Sequence, residues 1–277
     1  MFSILIPSWN NLPFLQLCVE SIRSYSATEI QIIIHVNDGS DGTLQWVKQQ
    51  RLDYTHTLQN EGVCVAVNMA ARLARFDYIV FINDDMFVLP GWYTALADEI
   101  AALSTDCFML SGTMIEPFDT KNKCVIVGDY GRSADDFAQE KLLTGFQSLI
   151  KNDWSGSTWP PSVVHKNWWN KVGGYSEEFS PGMASDDDFA MKMWQAGCRI
   201  FKGVGASRVY HFISKSTGRV VKNDGRKQFF NKWGMKQSTF HKYYLKRGQK
   251  YMGPLHEPGA AIGFYAQKAL ALLKKRG

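Results

Sequence analysis

Asn83, Asp84 and Asp85 follow an apolar run, residues 78–82, in the segment DYIVFINDDMFVLPGW. The pattern predicts a buried strand whose C-terminal tip carries two carboxylates and an amide. Ligands of open α/β sheets bind at such tips. Adjacent acids repel unless a cation or a donor-rich ligand lies between them. Hard oxygen ligands suit Mg²⁺ or Mn²⁺, ions that commonly work beside phosphates. The competing reading is a turn with solvated acids. The rest of the chain decides between the two.

Other segments carry groups of the same kind. VNDGSDGT, residues 36–43, sets Asp38 and Ser40 in a Gly-rich turn after another apolar run. A carboxylate there can accept from the ring N–H of a uracil, thymine or guanine, although the same pattern also makes an ordinary helix N-cap. QNEGVCVAVNMA puts Asn60 and Gly62 before a helix and Asn68 two turns into it. Gly62 permits close backbone approach, and a helix N-terminus favours an anion. SPGMASDDDFAMKMWQAG places Asp186, Asp187 and Asp188 at a helix start. Acids there complement the helix dipole, but three exceed what capping needs, and one could act as a general base toward a hydroxyl. His211 ends a strand in RVYHFISKSTG, either as a ligand for Mn²⁺-like ions or as a core histidine. Trp154 and Trp159 lie in an aromatic loop that suits either stacking on sugar faces or packing.

These groups need a scaffold. Apolar runs at residues 2–6, 30–36, 54–58 and 78–82 predict strands, and amphipathic or Ala-rich stretches at 12–24, 43–50, 62–75 and 90–103 predict helices between them. That alternation implies right-handed βαβ units and a mainly parallel sheet flanked by helices. Beyond residue 105, strands are predicted at 107–113, 124–127, 198–204 and 207–212, with a helix at 186–196 ended by Gly197 and a loop-rich stretch at 145–169. Residues 1–215 read as one α/β domain and residues 216–277 as a basic, aromatic, helical C-terminal extension. An amphipathic helix is predicted at 260–275.

Composition narrows the class. With 277 residues and 45% hydrophobic content, the chain can build a real core, and no apolar run approaches the ~20 residues of a membrane span. The start lacks the basic region and cleavage site of a secretory signal. Five scattered cysteines without a CxxC pair favour reduced thiols and a cytoplasmic location over a disulfide frame or zinc site. A net charge of +5 suits a phosphate ligand or an anionic membrane surface. No nucleic-acid motif is present. The opening Pro7-Ser8-Trp9-Asn10 lacks the Gly-rich, Arg-containing loop of sugar nucleotidyltransferases.

Taken in order, the segments resemble the family 2 glycosyltransferases, inverting enzymes with the nucleotide-sugar-binding GT-A fold. ILIPSWN is similar to that family's first strand, VNDGSDGT to its VDDGS-x-DGT turn, and NEGVCVAVN to its N-x-G…N helix start. FINDDM resembles its Asp-x-Asp strand end, KVGGYSEEF its VGGFDE segment, and SDDDFAMKMWQAGCRI its EDxDLxxRxxxAG helix. NKWG, residues 231–234, is similar to a tail motif in the family. The match covers about residues 1–215.

The resemblance implies that Pro7, Asn10, Asp38 and Ser40 line a nucleoside pocket, and that Asn60, Gly62 and Asn68 lie near ribose and phosphates. Asn83 and Asp84 then face the donor, Asp85 and His211 hold Mn²⁺ or Mg²⁺ against the leaving diphosphate, and Asp186 is the catalytic base. The donor is a UDP-, dTDP- or GDP-sugar, and the acceptor a glycan or lipid-linked hydroxyl, with Trp154 and Trp159 as its platform. Three positions depart from the family pattern: Asn83 for Asp, Ser185 for Glu, and Val67 for Arg. Asn83 and Ser185 keep open an alternative, a catalytically inactive relative that binds a nucleotide or glycan. The interleaved basic and aromatic residues of 219–250 suit either a peripheral contact with the inner membrane face or a helical hairpin docked on the domain.

Overall fold

The computed structural model describes residues 1–26, 29–214 and 221–259. Strand β1 (Phe2–Trp9), helix α1 (Leu12–Tyr25), strand β2 (Ile30–Asn37), helix α2 (Thr43–Gln49), strand β3 (Asp53–Thr57), helix α3 (Gly62–Ala71) and strand β4 (Tyr78–Phe81) realise the expected alternation. A short β5 (Met86–Val88), helix α4 (Trp92–Ala102), the long β6 (Phe108–Glu116) and a two-residue β7 (Ile126–Val127) follow. Then come α5 (Gln139–Gly145), β8 (Trp154–Ser155), β9 (Ser162–His165), α6 (Lys166–Val172), α7 (Ser185–Gln195), β10 (Ile200–His211) and α8 (Gly225–Trp233).

The strands form one mixed sheet in the order β3-β2-β1-β4-β9-β6-β10-β5. Strands β3, β2, β1 and β4 run parallel, as do β6 and β10, whereas β9 and β5 are antiparallel to their neighbours. β1 extends three residues beyond the predicted end at Ile6. The Leu5 C=O accepts from Ile82 N–H, but pairing with β4 stops at Leu5↔Phe81. Pro7, whose missing N–H would point to that same side, therefore interrupts no ladder. The two strands predicted at 198–204 and 207–212 are the single β10, Ile200–His211, broken against β6 by a register shift between Val204 and Arg208. There the Gly205 N–H turns to Asp153 Oδ1.

Alternation along β1 divides the core. Ile4 and Ile6 pack with Leu15, Val19, Trp92 and Leu96 of α1 and α4 on one face, and Leu5 packs with α3 and α7 on the other. Phe229, Phe240, Tyr244, Leu245 and Leu255 belong to that second cluster, beside Phe189 and Trp194 of α7. Much of the tail is thus hairpin packed against α7. The predicted helix at 260–275 and Arg219 lie outside the described residues.

Candidate active site

The C-terminal ends of β1, β2 and β4 face the start of α7 and the end of β10 across a cleft of about 370 Å³. Pro7, Asn60, Gly62, Asn83, Asp84, Asp85, Trp159, Asp186 and His211 all line it. Sequence segments spread over two hundred residues are therefore brought together by the sheet topology.

Asp84 and Asp85 are buried at the tip after β4, 7% and 6% exposed. Each has a specific partner. Asp84 Oδ1 accepts from Asn11 Nδ2 at 3.0 Å, and Asp85 Oδ2 accepts from Ser214 N–H at 2.7 Å. His211 Nε2 stands 3.5 Å from Asp85 Oδ1, and its Nδ1 stands 3.2 Å from Glu116 Oε1. Burial opposes ionisation of Asp85, but the facing imidazole and the Ser214 N–H outweigh it and hold the carboxyl below its usual range. Burial likewise opposes protonation of His211, and the two carboxylates overcome it, pushing its pKa up to about 10.

Glu116 is a member of the site that the motifs did not reveal. It is buried, 4% exposed, at the end of β6, and Thr120 Oγ1 donates to its other oxygen at 2.7 Å. Its signal was the same as that of the Asp pair, a lone acid ending the apolar run FMLSGTMIE.

Among the described residues, no group of three or more His, Cys, Asp or Glu converges as a metal cage. The pair Asp85 and His211 nonetheless fits a hard divalent ion. Their ligand atoms are about as far apart as two donors sharing one cation, and Glu116 is the carboxylate partner that orients a ligating imidazole. Mg²⁺ and Mn²⁺ bind well through few protein ligands when phosphate oxygens and waters complete the shell. A cation here would compete with protonation of His211.

Asp186 opens α7 on the opposite wall of the cleft. Tyr175 Oη donates to its Oδ1 at 2.9 Å. Burial, with the neighbouring Asp187 charge adding to it, raises the Asp186 pKa to about 7, while the Tyr175 hydroxyl and Arg247 pull the other way. The next two acids point elsewhere. Asp187 Oδ1 accepts from His241 Nε2 at 2.8 Å and from Arg247 Nη2 at 2.5 Å, and Gln237 Nε2 donates to Oδ2 at 2.5 Å. Burial opposes its charge, yet Arg247, His241 and Gln237 hold its carboxyl far below the usual range. Asp188, fully buried, accepts from Ser176 Oγ at 2.6 Å and Trp233 Nε1 at 2.8 Å, with Lys232 Nζ at 2.9 Å. Trp233 belongs to the NKWG segment, which thereby clamps α7.

At the β1–β2 end, Asn10 Nδ2 donates to Asp38 Oδ2 at 2.8 Å and to Ser40 Oγ at 3.1 Å, and Gly39 N–H donates to Asn10 Oδ1 at 2.9 Å. The amide of Asn10 lowers the Asp38 pKa, helped by Ser40. These three residues form a more exposed shelf next to the cleft, whose own lining there is Pro7, Ser8, Trp9 and Asn37. Gly62 adopts φ +84°, and a Cβ on it would come within 2.6 Å of Pro181 Cα. The close approach it allows is thus to the loop before α7, fixed by Val63 N–H donating to Pro181 O at 2.9 Å.

Two expected site residues are corrected. Asn68 does not line the cleft. Its Nδ2 donates to Tyr175 O at 2.8 Å and its Oδ1 accepts from Tyr175 N–H at 2.8 Å, so the amide is spent holding the turn that carries the hydroxyl on Asp186. Trp154 is only 2% exposed, donates from Nε1 to Thr113 Oγ1 at 3.0 Å and stacks on Trp159 at 5.6 Å. A ring so enclosed offers no face to an acceptor. Trp159 keeps its place on the cleft wall.

A sequence model described as "Glycosyl transferase family 2" matches residues 3–155, more than half of the chain. The chain belongs to glycosyl transferase family 2. Its relatives include the chondroitin synthase of Pasteurella multocida, 21% identical over 235 residues that cover 76% of this chain and 24% of that protein. The chondroitin synthase of Escherichia coli is 25% identical over 202 residues, 71% of this chain and 27% of that protein. The chain thus spans about a quarter of the length of these two relatives. Among solved structures, S. aureus TarS 1-349 in complex with UDP matches with a TM-score of 0.58 at 17% identity, covering 77% of this chain and 61% of that one. The same TarS segment in complex with UDP-GlcNAc gives 0.56 at 17%, over 76% of this chain and 57% of that one. These likenesses establish the GT-A architecture of the chain. Among the described residues, no helix is long and apolar enough to cross a membrane.

Proposed function

We propose that this glycosyltransferase moves a sugar from a nucleotide-diphosphate sugar to a hydroxyl of a glycan or lipid-linked acceptor, inverting the anomeric carbon, in surface polysaccharide synthesis. One observation carries the proposal. A single cleft has Asp186 on one wall, its carboxyl held near neutrality, and the Asp84–Asp85–His211 group on another. Ionised Asp186 takes the proton of the acceptor hydroxyl as that oxygen bonds to the anomeric carbon and the bond to the diphosphate breaks. A base whose pKa lies near the working pH supplies ~10²–10⁴-fold. Tyr175 holds the carboxylate in orientation. Developing positive charge on the sugar ring, as in glycoside cleavage, is favoured by the acid-lined tip.

Asp85 and His211 would hold Mn²⁺ or Mg²⁺, which when bound neutralises charge on the leaving diphosphate. Pro7, Asn10, Asp38 and Ser40 flank the base and ribose, Asn60 and Gly62 the phosphates, and Trp159 the acceptor. A uridine nucleotide is the first to test, because TarS, with the same fold, was solved with UDP and UDP-GlcNAc. The chondroitin synthase relatives support a glycan acceptor. A peripheral contact with an anionic membrane would rest on exposed charge, such as Lys222, Arg226, Lys227, Lys236 and Lys242, because Phe229, Phe240 and Tyr244 are turned into the core.

The test couples binding to turnover. Calorimetry with UDP and Mn²⁺, with and without EDTA, should show metal-dependent binding, and donor turnover should be screened with UDP-, GDP- and dTDP-sugars. Asp186→Asn should keep nucleotide affinity and lose ~10²–10⁴-fold in turnover. The alternative, a non-catalytic nucleotide- or glycan-binding relative, is favoured by the uncharged Asn83. Tight binding by the wild type with no turnover of any donor would select it.

A further inference from the structure

Arg247 lies in the tail, sixty residues beyond Asp187, yet the residues that follow it are hydrogen-bonded to β8. Gly248 N–H donates to Ser155 O at 3.0 Å, and Ser155 N–H donates to Gln249 O at 2.8 Å. Gly156, at φ +94°, lets the tail approach so closely that a Cβ there would lie 2.7 Å from Arg247 Cα. Held this way, the guanidinium reaches four groups, one of them the His241 ring, whose Nδ1 stands 3.2 Å from Nη1. Nη2 donates to Asp187 Oδ1 at 2.5 Å and to Thr158 Oγ1 at 2.6 Å, and the cation lies 4.6 Å over the ring of Trp159. The ion pair is largely enclosed, its side chains 18% and 10% exposed. Charges so placed are poorly screened by solvent.

We propose that Arg247 is a positioning residue for glycosyl transfer, acting through Asp187 to set the place and charge balance of Asp186 while fixing the Trp159 wall. This rests on the reading of Asp186 as the base. Among the described residues, Asp186 is faced by the Tyr175 hydroxyl from the turn after α6, Asp187 on its own helix, Arg247 from the tail and Cys64 from α3, and the His241 ring bonds both Asp187 and Arg247 behind them. Asp187 favours the protonated form of Asp186 and Arg247 disfavours it, so the two act on Asp186 in opposite directions. A plain structural strap would need the contacts but not this opposition.

The opposition gives a test with opposite signs. The carboxyl of Asp186 is followed by ¹³Cγ-aspartate NMR from pH 4 to 10, its resonance assigned by loss in Asp186→Asn. Arg247→Met should raise the Asp186 midpoint by half a pH unit or more, Asp187→Asn should lower it, and the double variant should return toward the wild type. Arg247→Lys keeps the charge and should restore the midpoint. If Arg247→Met does not fold, Asp187→Asn and Arg247→Lys still decide. An Asp186 midpoint unmoved by Asp187→Asn, or moved equally by Arg247→Lys and Arg247→Met, overturns the proposal. Absence of turnover with every donor, with these shifts intact, would instead count against the transferase reading alone.

Discussion

Asp186, Asp187 and Asp188 share one helix turn and differ in everything around them. Only Asp186 faces the cleft, and its environment disfavours the charge a base needs. Its carboxyl titrates near ~3.9 in an unfolded chain and about 7 in the fold. Between those values the folded state holds the extra proton, so stability falls as pH rises from about 4 to about 7 and is flat above. Asp186→Asn removes that cost. The variant should be more stable than the wild type at pH 8 by on the order of 2 kcal/mol, with the difference gone at pH 4 in thermal melts. Turnover in the wild type should rise with pH through a midpoint near 7, because the base must be ionised. A melt difference independent of pH would show that Asp186 is not the group being strained. The type and order of the cleft residues were legible because apolar runs ending in polar groups mark strand tips. Glu116 ended an apolar run in the same way, but its partner His211 lies 95 residues away, and Tyr175 and Arg247 carried no such signal, since each meets its partner through the fold.

Strand and helix alternation in the first hundred residues was readable because each element carries its own period. β9 was not. Only four residues, SVVH, follow a Trp-Pro-Pro turn, yet they enter the middle of the sheet between β4 and β6. A segment this short has no periodicity, and its pairing partners, not its own pattern, make it a strand. The same limit affected Asn68, placed correctly on α3 but with its amide taken by the Tyr175 turn. Asn68→Ala leaves the buried Tyr175 N–H without that partner, and should cost about 1–3 kcal/mol of stability in chemical denaturation. Nucleotide affinity should change little. A variant of wild-type stability that binds UDP more than tenfold weaker would return Asn68 to the donor site.

At the scale of the whole molecule, the tail supplies part of the core and part of the electrostatics. Phe229, Phe240 and Leu245 are fully buried, and Tyr244 and Leu255 are 7% and 5% exposed. Burying side chains of this size contributes ~1.5–3 kcal/mol each, together roughly 7–15 kcal/mol, as much as the ~5–15 kcal/mol net stability of an ordinary domain. Removing the tail also strips Asp187 of Gln237, His241 and Arg247, and Asp188 of Lys232 and Trp233. Unpairing a buried charge costs ~3–5 kcal/mol, and the two sit on the turn that presents Asp186. A chain ended at Asn223 should therefore show no cooperative thermal transition and little near-ultraviolet circular dichroism. Should it instead melt cooperatively, the sheet and its first helices would be a self-sufficient unit. The tail would then serve only to set the helix that carries Asp186, and turnover, not folding, would be what the truncation removes.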